Sequence, residues 1–191
     1  ARGEWIGFVD SDDYIAPEMY EVLYQAVQST GADLALCDYA EVDETGALCP
    51  PMHISLAEQV FTGRELLKNA TDSMIQPAWN KLYRRQVIAD NHLEMDAQMR
   101  WCEDFLFNLS FIRHAETFTA IQTPVYYYMK RKGSLVSTDW KKANAVLLKF
   151  RLLKEYKELY QSIGLYEENE LKINAFVLSV AKDGNVAIPM S

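Results

Sequence analysis

The sequence predicts an α/β fold, with a mixed sheet flanked by helices and a helical region at the C-terminal end. The run 5–9 is apolar and combines β-branched and aromatic residues, as buried strands do. A helical pattern over 17–28 leads into a second strand pattern over 32–42. Beyond residue 139 only helical periodicity remains, over 140–160 and 165–181.

Local signals fix several boundaries between these elements. Pro17 stands in the first turn of the first helix, and Gly31 is suited to its end. Thr62 and Glu65 have the spacing of a capping box, which predicts a helix from there to about residue 73. The remaining predicted elements are a turn over 43–46, a short returning strand over 47–49, a helix over 103–114 and two short strands within 116–129 separated at Pro124.

Composition excludes several classes of protein. The 191 residues are enough for one domain with a sizeable core. A net charge of −8 argues against generic binding to nucleic acid or to an anionic membrane surface. Three cysteines without metal-ligand spacing suggest a reducing compartment, so we expect a cytoplasmic location. The apolar runs are far shorter than the ~20 residues that a membrane-spanning helix needs.

Three carboxylates follow the first strand directly, at Asp10, Asp12 and Asp13. In an open α/β sheet, ligands bind at the carboxyl ends of strands. Crowded like charges are costly unless a cation, water or hydrogen-bond donors compensate them, and aspartate oxygens suit Mg²⁺ and Mn²⁺. The pattern indicates a metal site that would neutralise an anionic substrate. The alternative is a solvated turn, in which Asp13 could cap the helix near Pro17.

Known aspartate motifs narrow this choice. An EF-hand loop beginning at Asp10 would need Gly where Ile15 stands and would contain Pro17, so we exclude it. A haloacid-dehalogenase-type phosphatase would use Asp10 as nucleophile, but Tyr14 occupies a position where that pattern has Thr or Val. The third motif is the DxD sequence of nucleotide-sugar glycosyltransferases.

The whole stretch 1–15, ARGEWIGFVDSDDYI, resembles the pattern A-x-G-E/K-Y/W-I-x-F-L/V-D-x-D-D-x-I/V of family 2 glycosyltransferases. The resemblance implies the GT-A fold. Residues 1–138 would be the C-terminal part of the catalytic domain, and 139–191 a helical extension. In the family, an N-terminal half holds the nucleotide base and ribose. We therefore expect this chain to be a C-terminal fragment, inactive in isolation.

A second informative stretch, Trp79–Arg84, resembles the family segment W-N-K-L-Y/F-R/K. One interpretation is a helix start whose aromatic residues face the core. The other is a wall of the acceptor cleft, in which Trp79 and Asn80 contact the acceptor and Lys81 lies near the donor phosphates.

A third stretch begins at Cys102 and resembles the family motif G-E-D-x-x-F, with Phe107 in register and Cys102 in place of the usual Gly. The resemblance makes Asp104 the general base and places Glu103 on the acceptor side. The alternative is a helix start in which the two acids favour the helix dipole.

A basic segment, Lys130–Ser137, resembles the family pattern Y-x-x-R/K-x-x-S-I/L-S/T. Arg131 and Ser134 would bind the donor diphosphate or hold a loop over it. The alternative is a solvated basic turn.

The resemblance also implies a mechanism, in which a sugar moves from a nucleotide-sugar donor to an acceptor hydroxyl with inversion. A divalent metal (Mn²⁺ or Mg²⁺) would be held by Asp12, with Asp10 near the ribose or the metal. Asp13 would lie in the metal shell or near the acceptor, and we assign it to the acceptor side. The acceptor would be a glycan or lipid-linked molecule of bacterial surface polysaccharide synthesis. A place at the inner face of the membrane through peripheral association of the full-length protein, and a homodimer, are further expectations.

Two other functions stay open from the sequence. One is the phosphatase, with Asp10 as nucleophile. The other is a non-catalytic module that binds an acceptor or dimerises and binds no donor alone.

Overall fold

The structure, a computed structural model, describes residues 2–49, 59–69, 72–97, 102–130 and 145–182. Within these ranges, six strands form one sheet in the order β1-β5-β3-β6-β2, and β4 also pairs with β6. The strands are β1 (Trp5–Gly7), β2 (Tyr14–Ile15), β3 (Leu34–Val42), β4 (Phe61–Thr62), β5 (Lys81–Arg84) and β6 (Thr117–Met129).

The sheet is mixed, as the sequence predicts. Strands β3 and β6 are parallel, and the other pairs are antiparallel. The prediction of two strands separated at Pro124 is wrong, because β6 runs without interruption past it. Pro124 instead lies opposite Asp38 at a shift of register. A proline cannot donate to a ladder, and an irregularity of this kind accommodates it.

Seven helices are described: α1 (Met19–Thr30), α2 (Gly63–Asn69), α3 (Asp72–Ile75), α4 (Arg85–Asp90), α5 (Glu103–His114), α6 (Ala145–Ser162) and α7 (Tyr166–Lys182). Two of the three local boundary signals are confirmed, whereas the placement of Pro17 in the first turn of α1 is wrong, because Pro17 lies before the cap residue Glu18. Gly31 ends α1 in the left-handed region with φ 71°, and its N–H donates to Val27 O. The Thr62 N–H donates to Glu65 Oε2 at 2.7 Å, and the Glu65 N–H donates back to Thr62 Oγ1 at 3.3 Å.

The helix start predicted near residues 76–85 is wrong for residues 81–84, which form β5. This strand lies in the sheet between β1 and β3, and Leu82 faces Gly7 on one side and Ala35 on the other. Pairing on both edges provides hydrogen-bond partners for the backbone N–H and C=O groups of residues 81–84. These long-range contacts outweigh the local preference of the segment for a helix.

The two C-terminal helices are present, as predicted, and α6 packs on α5. Phe105 contacts the ring of Tyr156 at a centroid distance of 5.3 Å, and Arg113 pairs with Glu155 and Glu158. No helix in the described ranges is long and apolar enough to span a bilayer. The division into domains at residue 138 stays a prediction.

Cys102 precedes α5 with a φ of 60°, in the left-handed region that favours glycine. We expect Cys102→Gly to leave the free energy of unfolding nearly unchanged, because relief of strain offsets the lost packing of the thiol. Cys102→Val should cost about 1–2 kcal/mol or more, because a β-branched side chain is poorly tolerated there. Urea unfolding of both variants measures this. Equal stabilities would contradict it.

Candidate functional site

The acidic turn after β1 has an outer and an inner side. Asp10 and Asp12 are exposed and lie three and five residues beyond the end of β1 at Gly7. Asp13 is partly buried and faces β6, where its Oδ2 accepts from the Tyr126 hydroxyl at 2.7 Å and its Oδ1 from the Met129 N–H at 2.8 Å. Asp13 therefore fastens the turn to the sheet. Its predicted use as a helix cap is wrong, because Glu18 holds the cap position of α1.

Tyr126 makes two hydrogen bonds with this turn. Its oxygen also accepts from the Asp10 N–H at 3.2 Å. Its ring stacks on Trp79 at a centroid distance of 4.1 Å, and Trp79 in turn stacks on Tyr128 at 5.7 Å. The side chain of Tyr126 is completely buried. A packed aromatic column therefore fixes the position of the two exposed carboxylates.

Asp104 lies at the start of α5, where it is half-buried beside Glu103. Its Oδ2 accepts from the Ala78 N–H at 3.2 Å. This bond joins the loop before β5 to the first turn of α5, so the second and third sequence motifs meet at Asp104.

The carboxylates of the two segments share one electrostatic environment. Loss of hydration is the largest cause that raises the pKa of Asp10, and the charges of Asp104, Asp13, Asp12 and Glu103 add to it in that order; together they raise the pKa from 3.8 to about 6. The structure thus brings together the acidic turn and the start of α5, which are far apart in the sequence.

Burial also raises the pKa of Asp104, while the Ala78 N–H and the charge of Lys81 oppose this shift. Burial raises the pKa of Glu103 too, and the charge of Asp104 adds to that effect. A half-buried carboxylate with a raised pKa is a suitable proton acceptor.

The chemistry of these oxygens suits Mn²⁺ or Mg²⁺, and a dication would relieve the repulsion around Asp10. Among the described residues, however, no three His, Cys, Asp or Glu side chains are arranged to hold a metal ion alone. A cation here would need further oxygens, which a bound diphosphate can supply.

Other predicted site residues lie in the core or outside the described ranges. Trp79 is 7% exposed, and Asn80 is fully buried with its amide donating to Cys37 O at 3.0 Å. Lys81 is 3% exposed, and its ammonium donates to Met74 O, Pro77 O and Asn80 Oδ1. These contacts argue against the predicted donor contact of Lys81 and the acceptor contacts of Trp79 and Asn80. Arg131 and Ser134 lie outside the described residues.

Two residues near the site, Tyr126 and Asn108, are not predicted from the sequence. The tyrosine stands in a run of three, which identifies a strand without indicating which ring faces the acidic turn. Asn108 could have been predicted to lie near the site, because it follows Asp104 by one helical turn and is a polar residue within an apolar stripe.

The raised pKa of Asp10 predicts a pH dependence of stability. The pKa of Asp10 in the folded protein, about 6, exceeds the reference value of 3.8. The contribution of Asp10 to the free energy of unfolding is therefore fully present below pH 3.8 and is lost as the pH rises through 6. We expect Asp10→Asn to flatten the decline in melting temperature between about pH 4 and 7. Scanning calorimetry of both proteins measures this, and identical pH profiles would contradict it.

Comparison with known proteins identifies relatives of this chain. Residues 1–91 match the model described as glycosyl transferase family 2. The chain is 30% identical over 185 residues to the uncharacterized glycosyltransferase EpsJ of Bacillus subtilis, covering 93% of this chain and 52% of the relative. It is 27% identical over 141 residues to the poly(ribitol-phosphate) beta-N-acetylglucosaminyltransferase TarS of Staphylococcus aureus, covering 73% and 23%. The chain thus spans about half the length of the first of these relatives.

Solved structures of S. aureus TarS 1–349 are similar as well. The complex with UDP-GlcNAc has a TM-score of 0.63 at 20% identity, covering 87% of this chain and 49% of the other. The complex with UDP has a TM-score of 0.57 at 24% identity, covering 68% and 37%. The fold of the described residues, a curled mixed sheet flanked by helices, is that of these GT-A proteins.

Proposed function

Because residues 1–91 belong to glycosyl transferase family 2, we propose that the full-length protein transfers a sugar from a nucleotide-sugar donor to an acceptor hydroxyl, with inversion. The observation that carries this proposal is the shared environment of the Asp10–Asp12 turn and Asp104. Transfer needs a cation that compensates the negative charge of the donor diphosphate, and a base that deprotonates the acceptor hydroxyl. The acidic turn could hold the cation, and Asp104 could be the base.

On the donor side, we assign Asp12 as the direct ligand of a divalent cation and Asp10 as a neighbour of the ribose or the metal. Both carboxylates are exposed, whereas Asp13 faces β6 and stabilises the turn. When bound, Mn²⁺ or Mg²⁺ would supply positive charge against the leaving nucleoside diphosphate. Arg131 and Ser134 remain proposed diphosphate contacts on the strength of the family segment.

On the acceptor side, we assign Asp104 as the base and Glu103 as an acceptor contact. The Ala78 N–H holds Asp104 Oδ2, so Oδ1 is the oxygen that would take the proton. The acceptor oxygen bonds to the anomeric carbon as the bond from that carbon to the diphosphate oxygen breaks. The proton moves to Asp104, and the nucleoside diphosphate leaves with the electron pair.

For the acceptor, we propose a hydroxyl of a bacterial surface glycan or of a lipid-linked precursor. The supporting observation is the similarity to TarS, a poly(ribitol-phosphate) beta-N-acetylglucosaminyltransferase. Synthesis of such a glycan from a nucleotide sugar would place the protein in the cytoplasm, at the inner face of the membrane.

A direct test incubates the full-length protein with Mn²⁺ and a panel of nucleotide sugars, with candidate glycan acceptors. We expect release of one nucleoside diphosphate, and NMR of the product should show the inverted anomer. A retained anomer would contradict the mechanism. Asp10-dependent phosphate release from an aryl phosphate would favour the phosphatase instead.

A further inference from the structure

Five consecutive backbone carbonyls, those of residues 74–78, contact buried side chains. The Lys81 ammonium donates to Met74 O at 2.8 Å and also to Pro77 O. The Asn108 amide lies 2.7 Å from Ile75 O, 2.9 Å from Gln76 O and 3.0 Å from Pro77 O. The Tyr83 hydroxyl lies 3.3 Å from Ala78 O. We call Lys81, Tyr83 and Asn108 the carbonyl clamp.

The members of the carbonyl clamp are themselves connected and buried. The Tyr83 hydroxyl donates to Asn108 Oδ1 at 2.6 Å, and Lys81 is 3% exposed. Burial lowers the pKa of Lys81 to about 7, although Cys37 and Asp104 oppose this shift. A buried ammonium is costly, and its hydrogen bonds to Met74 O, Pro77 O and Asn80 Oδ1 offset that cost. Lys81 therefore ties segment 74–78 to the start of β5.

The segment 74–78 contacts Asp104 as well as the carbonyl clamp. Its carbonyls contact the carbonyl clamp, while the Ala78 N–H donates to Asp104 Oδ2. Asp104 and Asn108 lie one turn apart on α5, so this helix holds the segment at two points. Any shift of the segment would move the donor that orients the Asp104 carboxylate.

We propose that Lys81 and Asn108 are positioning residues, which act through segment 74–78 to fix the orientation of Asp104. This inference rests on the proposed function, in which Asp104 takes the proton of the acceptor. It also gives the lysine of the Trp79–Arg84 stretch a role in orienting the base, in place of a contact with donor phosphate.

The test compares Lys81→Met and Asn108→Leu in the full-length protein with Lys68→Met, a matched control at an exposed position on α2. Because a misplaced catalytic group costs up to about 10²-fold in rate, we expect kcat to fall about 10–100-fold in both clamp variants. The donor KM should stay within about twofold, because the hydrogen bonds that hold the acidic turn are made with Tyr126 and Met129 on β6. Lys68→Met should retain wild-type kcat. Unchanged kcat in the clamp variants, or an equal rise in donor KM, would overturn the proposal.

A double variant separates this inference from the proposed function. Since Lys81 acts through Asp104, adding Lys81→Met to Asp104→Asn should lower kcat no further. Multiplicative losses would overturn the inference and leave the function intact, whereas an active Asp104→Asn variant would overturn the function itself.

A milder variant covers the case in which Lys81→Met and Asn108→Leu fold poorly. Tyr83→Phe deletes one hydroxyl of the carbonyl clamp and keeps the ring in the core. We expect faster amide hydrogen exchange within 74–82 and a severalfold lower kcat at constant donor KM. Wild-type exchange and kcat would overturn the proposal.

Discussion

Asp104→Asn in the full-length protein is expected to lower the turnover of sugar transfer about 10²–10⁴-fold, the usual contribution of a positioned general base. Asparagine keeps the shape of the side chain, and its carbonyl oxygen can still accept the Ala78 N–H. It cannot take a proton from the acceptor. Donor binding should therefore be unchanged, and steady-state kinetics with a titration of the nucleotide sugar would separate the two quantities.

Two comparisons make this result specific. Glu103→Gln changes the neighbouring carboxylate and should have a much smaller effect on kcat, and Asp90→Asn, at an exposed position on α4, should have none. Wild-type-like turnover by Asp104→Asn would remove Asp104 as the base.

Asp12→Ala is expected to weaken the metal-dependent use of the donor. Asp12 is exposed in the turn after β1, whereas the neighbouring Asp13 faces β6. Loss of this ligand should raise both the donor KM and the Mn²⁺ concentration needed for half-maximal rate by at least about tenfold. Rates measured across a Mn²⁺ titration test this.

The weaker donor use should arise from the lost metal ligand and not from unfolding, so Asp12→Ala should melt near the wild-type temperature. Asp90→Ala is the matched control, since it removes an exposed carboxylate away from the acidic turn. The same Mn²⁺ dependence in wild type and Asp12→Ala would contradict the assignment.

The features that could be predicted from sequence depend on short-range physics. The capping box of Thr62 and Glu65 and the stop at Gly31 each involve a few adjacent residues, and the structure has both. The run of apolar residues before Asp10 likewise identifies a strand, although β1 ends at Gly7, three residues before the first acid. The C-terminal helices follow from the same kind of periodicity, whereas the mixed sheet follows from the resemblance to family 2 glycosyltransferases.

The features that were missed depend on contacts between distant segments. Residues 81–84 form a strand because β1 and β3 pair with both of their edges. A lysine is usually exposed, so Lys81 is expected at the surface. In the structure it is buried, and its ammonium donates to the carbonyl oxygens of residues 74 and 77. The bond from Tyr126 to Asp13 joins residues more than a hundred positions apart, and no local pattern contains it.

Calorimetric titration of the full-length protein with nucleoside diphosphates, with and without Mn²⁺, tests the central claim most directly. The proposed donor site predicts that one nucleotide binds with a 1:1 stoichiometry only when Mn²⁺ or Mg²⁺ is present. It also predicts that Asp12→Ala weakens this binding by at least about tenfold. Binding that is independent of metal and of Asp12, or no binding of any nucleotide, would contradict the assignment of the acidic turn as a donor site.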